Sequence, residues 1–111
     1  VSTETAQENP QVVLGMFFAN SIPASVLFDS GASHSFISAQ FVAKHSIPMC
    51  LMKQNLLVKT PGGEMKSLYM CPNVSLKIMG TEFGANLIVL ESKDLDVILG
   101  MDWLGIHDAT I

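Results

Sequence analysis

The sequence predicts an all-β fold, a small and partly closed barrel or sandwich with one or two short helices, on three observations. Apolar runs rich in β-branched and aromatic residues alternate with turn signals. No repeated helical crossovers of about ten to fifteen residues separate them. The chain has 111 residues, 49% of them hydrophobic, which allows one domain with one modest core.

Taken in order, residues 1 to 10 are polar and close on Pro10, so they read as a flexible lead-in, with the folded domain at 11 to 111. Two apolar runs around the break "NSIP" predict a hairpin with strands near 11–19 and 24–29. The stretch "SHSFISAQFVAKHSIP" predicts a helix near 35–45, capped by Ser33 or Ser35 and stopped before Pro48. In "NLLVKTPGGEMKSLYMC" the turn residues Pro61, Gly62 and Gly63 sit between strand-like runs and predict a second hairpin with a mobile tip. Val74, Leu76 and Ile78 alternate with polar neighbours, and Gly80 turns the chain into a strand around 83–90. A strand at Val97–Leu99, a glycine and a helical turn with Trp103 and Leu104 follow. The chain stops after "GIHDATI", where a further strand is expected, so truncation of a longer polypeptide is expected too.

Charge narrows the function classes. Acids outnumber Lys plus Arg by ten to six, and the formal charge of −4 gives no basic footprint, so direct nucleic-acid binding is not expected. No uninterrupted apolar run reaches the length of a membrane span, and the polar N-terminus does not read as a secretory signal. Cys50 and Cys71 lack the spacing of a disulfide scaffold or zinc knuckle and read as ordinary apolar residues. His34, His45 and His107 are scattered, so no metal site and no other cofactor is expected.

The segment "LFDSGASHSFIS", residues 27 to 38, carries the chemistry. Asp29 ends an apolar strand and opens a turn, where an ionised carboxylate is costly unless hydrogen-bonded or paired. Gly31 lets the backbone aim amides at the acid, and Ser30 and Ser33 supply hydroxyls that orient it or hold the neighbouring backbone. A rigid, supported acid suits general acid/base work; the plain alternative is an Asx-turn or helix-capping role. A nucleophilic Ser33 or Ser35 with His34 is disfavoured, since neighbouring side chains rarely aim at one another and the G-x-S-x-G elbow is missing.

With "DVILGMDWL" about seventy residues further on, this segment resembles the retroviral-type aspartic proteases, and specifically the protease domain of plant gypsy-type LTR-retrotransposon polyproteins. The resemblance implies a retropepsin-like acid protease barrel with one lobe per chain and a flap hairpin. It implies that Asp29 is catalytic, that Ser30 braces the partner's triplet, that Gly31 permits the tight turn and that Ala32 lines the cleft wall. Residues 56 to 69, with Pro61, Gly62 and Gly63, would form the flap; Ile98, Leu99 and Gly100 would pack behind the catalytic loop.

Chemistry of this kind needs two carboxylates, and the chain holds one D-S-G. Asp94 and Asp96 read as solvated charges and Asp102 as a first-turn helix acid, with Asp108 equally unlike Asp29. The resemblance therefore implies a second copy of the chain as partner, related by a two-fold axis, and a peptide of its own polyprotein as substrate. It also implies a cytoplasmic location, in retrotransposon particles. The competing class is a catalytically silent retropepsin-like module that dimerises or binds peptide.

Overall fold

The computed structural model describes residues 12–60, 63–92 and 94–107, the side chains of Lys59 and Thr60 excepted. The expected lead-in, Pro61 and Gly62 of the second hairpin's tip, and Asp108 lie outside the described residues. The strands are β1 (Val12–Ala19), β2 (Ile22–Asp29), β3 (Phe36–Ser38), β4 (Cys50–Thr60), β5 (Gly63–Ile78), β6 (Thr81–Leu90) and β7 (Val97–Leu99). The helices are α1 (Ala39–His45) and α2 (Met101–Ile106).

The expected all-β barrel is not what forms. The strands make one seven-stranded mixed sheet, in the order β1-β2-β7-β3-β6-β5-β4, joined by two helices, an α/β arrangement without a closed barrel. Among the described residues, β1 and β5 pair at Phe18↔Lys77 and Ala19↔Leu76. The reason lies in two three-residue strands, β3 and β7, at the middle of the sheet. β2 runs parallel to β7 and β3 parallel to β6, and parallel neighbours need crossover connections, which a simple meander cannot provide.

Local chemistry sets the element ends. Asn20 and Ser21 both take positive φ in the two-residue turn of the first hairpin, and Asn20 Oδ1 accepts from Ser75 N at 2.8 Å, fastening that turn to β5. Met79 and Gly80, with φ of 51° and 86°, make the corresponding turn between β5 and β6. The helix expected from residue 35 begins at Ala39, because Phe36, Ile37 and Ser38 are buried as strand between β6 and β7. Ser38, not Ser33 or Ser35, is its N-cap, with Oγ accepting from Gln40 N and Phe41 N.

Alternation sorts the side chains onto two faces of the sheet. Val26, Val97 and Ile37 lie in one row across β2, β7 and β3, and with Leu76, Leu87, Leu99 and Trp103 they belong to the main core. The neighbouring row, Leu27, Ile98, Phe36 and Ile88, falls on the opposite face. It joins Ala32, Leu90 and, from the second hairpin, Val58, Leu56 and Met65 in a smaller apolar cluster.

Two aspartates read as solvated or merely helix-opening instead tie distant segments together. Asp96 Oδ2 accepts from Ser25 N at 2.8 Å and Ser25 Oγ at 3.2 Å, locking the entry of β7 to β2. Asp102 Oδ1 accepts from Ser35 Oγ at 2.6 Å and Oδ2 from Ser35 N at 3.2 Å; Ser35 Oγ in turn accepts from Gly100 N at 3.0 Å. Met101 N donates to Ala32 O at 2.7 Å. A Cβ on Gly100 would collide with the carbonyl oxygens of Ala32 and His34, so only glycine lets α2 sit this close to the 29–35 loop.

Two outcomes follow for urea unfolding. Gly100→Ala should cost about 3 kcal/mol, since backbone must move, whereas Gly105→Ala, in α2 with open space around it, should gain about 0.5–1 kcal/mol. Equal effects would contradict the close-approach argument. Cys50 is exposed and Cys71 buried, both as free thiols. Burial, with the Cys50 charge second, pushes the Cys71 thiol from 9.0 up to about 11. The unfolded chain therefore loses this proton first, and Cys71 removes stability as pH climbs from 9.0 to about 11. A thiol reagent at neutral pH should label Cys50 alone, and Cys71 only after unfolding; rapid labelling of both would contradict the buried placement.

Candidate active site

Asp29 is the last residue of β2 and shares the face of Leu27, so its carboxyl stands at the end of the smaller apolar cluster, on the side over which the second hairpin lies. It is only 8% exposed. Oδ1 accepts from Gly31 N at 2.8 Å, and Asp29 O accepts from Ala32 N at 3.1 Å, which closes the turn. The Asx-turn reading and the supported-acid reading describe one geometry here: the amide that makes the turn also holds the carboxylate. Ser30 is half-buried and Gly31 buried beside it.

The other expected site residues fall at different distances from this chemistry. Ala32, 1% exposed, belongs to the apolar cluster next to the acid. Ile98 lies in the same cluster, Leu99 on the opposite face in the main core, and Gly100 against the loop's backbone. Gly63 opens β5 with φ of 127° opposite Thr60; Pro61 and Gly62 are outside the described residues. Ser33 is exposed, and its Oγ lies 3.0 Å from His34 Nδ1. This adjacent pair does meet, contrary to the argument from neighbouring positions. Among the described residues, no carboxylate contacts the ring to complete a triad.

Ser35 and Asp102 were missed as supports of this loop. Their partnership spans 67 positions, so no local pattern could reveal it; the one clue was an acid just after the glycine of "ILGMD". Among the described residues, no three His, Cys, Asp or Glu side chains cluster as a metal site would require. No helix there is long and apolar enough to cross a membrane. A depression of about 520 Å³ lined by Met16, Phe18, Lys77 and Met79 lies by the opposite end of β1 from the end paired with Asp29, and contains no carboxylate.

A buried, amide-held acid at the end of an apolar cluster is equipped for acid/base chemistry. Comparison with curated proteins found no match. Among solved structures, the EIAV protease complexed with the inhibitor HBY-793 is similar at a TM-score of 0.65 and 20% identity, over 98% of each chain. The retroviral protease-like domain of Ddi1 from Leishmania major is similar at a TM-score of 0.66 and 17% identity, over 88% of this chain and 78% of that one. At these identities the two likenesses speak for the fold. The sequence model for the retroviral aspartyl protease matches residues 1–111, and the chain accordingly belongs to that family of proteolytic hydrolases.

Proposed function

We propose that the chain is an aspartic endopeptidase, active as a homodimer, that hydrolyses peptide bonds in its parent polyprotein through a water activated by paired Asp29 residues. The observation that carries this reading is the placement of Asp29: buried, held by the Gly31 amide, and facing the apolar cluster beneath the second hairpin. Asp94 is exposed, while Asp96 and Asp102 are committed to Ser25 and Ser35. The second carboxylate is then Asp29 of another copy across a two-fold axis.

In that pair, two carboxylates so close cannot both ionise comfortably and share one proton, as in aspartic proteases generally. The ionised carboxylate takes a proton from water as the water oxygen bonds to the scissile carbonyl carbon. The protonated carboxyl gives its hydrogen to the carbonyl oxygen, forming a gem-diol. Collapse breaks the C–N bond while a proton passes to the leaving amine. No bond to the enzyme forms at any step.

Ser30 braces the partner's triplet, Gly31 permits the turn, Ala32 lines the cleft wall, Ile98, Leu99 and Gly100 pack behind the catalytic loop, and the hairpin around Pro61, Gly62 and Gly63 closes over the peptide to exclude water. The row Leu27, Ile98, Phe36 and Ile88 favours apolar side chains, and an extended substrate fits beneath a hairpin as an added strand. The parent polyprotein on this reading is that of a plant gypsy-type LTR retrotransposon, with the enzyme at work in cytoplasmic particles. The motif pair, Asp29-Ser30-Gly31 and Ile98-Leu99-Gly100, supports the retropepsin-like reading.

Cleavage of polyprotein-derived peptides tests the enzyme. Asp29→Asn should lower kcat by about a thousandfold, and the wild-type rate should rise faster than linearly with protein concentration while the dimer is dissociated. A variant as active as wild type would contradict the assignment. Peptide binding without cleavage by a dimeric chain would favour the silent binding module instead.

A further inference from the structure

The first strand is open along one edge, and that edge ends at the depression lined by Met16, Phe18, Lys77 and Met79. β1 pairs with β2 over its whole length on one side; on the other, among the described residues, it meets β5 at Phe18 and Ala19. β5 stops at Ile78 and turns back through Met79 and Gly80, so no described strand lies beside the outer edge of Val12–Phe17. Alternate amides and carbonyls of such an edge face outward and can pair with another chain. Natural edges are blunted by Lys, Pro or a bulge, whereas "VVLGMFFA" carries no charge and no Pro and follows β2 residue for residue.

The side chains along this edge are apolar until its last position. Val12, Leu14, Met16 and Phe18 alternate onto one face and are all exposed, which makes a continuous apolar row. Lys77, the register partner of Phe18, closes the row and is the charged residue among those described in the depression's lining. Glu82, opposite Lys77 on β6, accepts from Ser75 Oγ at 3.3 Å and does not line the depression. Met79 is 89% exposed and holds φ of 51°, a left-handed angle that favours Asn or Gly over a side chain of this size. The turn thus keeps a large apolar side chain in solvent at the lip of the depression, at the cost of backbone strain.

We propose that the open edge of β1 and the depression at its end form a docking site for an extended protein segment, apolar along its length, with an Asp or Glu at the end that meets Lys77. The segment adds to β1 as a further strand in the place that β5 leaves at Ile78, and its carboxylate pairs with the Lys77 ammonium. A second copy of β1 is a poorer occupant, because β1 holds no carboxylate to match Lys77. The charged end of the site lies at the opposite end of β1 from the residue paired with Asp29, so docking there is separate from the acid's chemistry.

The test uses the full chain and short capped peptides that alternate threonine and valine, with Glu, Gln or Lys at one end or the other, and reads Kd by fluorescence anisotropy. At one end the Glu peptide should bind about fivefold tighter than its Gln partner, the worth of one exposed ion pair. Lys77→Glu should move the preference to the Lys peptide, a reversal that a folding defect does not produce. Methylating alternate backbone nitrogens of the peptide should abolish binding, since an added strand needs those donors. A Glu preference that survives Lys77→Glu, binding that survives N-methylation, or no binding at about millimolar peptide overturns the site and leaves the protease reading intact. Self-association through β1 in place of peptide binding gives the edge to a second copy and overturns the proposal as well.

Discussion

The close approach of Gly100 to the carbonyls of Ala32 and His34 is the contact on which the rest of the site depends. A carboxyl at the end of an apolar strand must be held by something rigid, and the six-residue loop that follows it is not rigid by itself. Because residue 100 has no side chain, the start of α2 reaches that loop and donates Gly100 N to Ser35 and Met101 N to Ala32. Asp102, one residue on, then grips Ser35 from the other side. The loop carrying Asp29 is thereby fixed by a segment about seventy residues away in sequence, which places the acid as firmly as the sheet places Leu27.

The same sheet carries a larger and a smaller apolar layer on its two faces. One face feeds the main core with residues such as Val26, Leu76 and Leu99, none of them measurably exposed. The other face carries a thinner apolar layer covered by the second hairpin. A thin layer roofed by a two-stranded ribbon holds fewer buried residues than the core, so opening it costs less than unfolding, which suits the closing role proposed for the hairpin. That Asp29 stands on the thin face follows from its even spacing from Leu27 along β2.

How much of this the sequence discloses depends on the range of the interaction that decides each feature. The first hairpin, the turn at Gly80, the strand at Val97–Leu99 and the Asp29 turn rest on local chemistry, and all are visible in short windows. Phe36–Ser38 is not, because three residues preceding a helix look like its first turn until β6 and β7 flank them. The barrel expectation failed for the same reason: β3 and β7 are too short to announce themselves, yet their parallel pairings set the topology. Asp96 and Asp102 look like surface charges because their partners, Ser25 and Ser35, stand 71 and 67 positions away. The matched motifs at Asp29-Ser30-Gly31 and Ile98-Leu99-Gly100 were legible as a resemblance before any contact between them could be known, and the family match over residues 1–111 agrees with it.

One chain supplies one such acid, and the proposed chemistry needs two held within a shared proton's reach. The most direct measurement is therefore peptide cleavage by mixtures of wild type and the Asp29→Asn variant at fixed total protein, after exchange of subunits. If each site is built from two Asp29 residues, activity falls as the square of the wild-type fraction, so an equal mixture retains about a quarter of the rate. A linear fall, with about half the rate retained, would mean that each chain acts alone and would contradict the shared site.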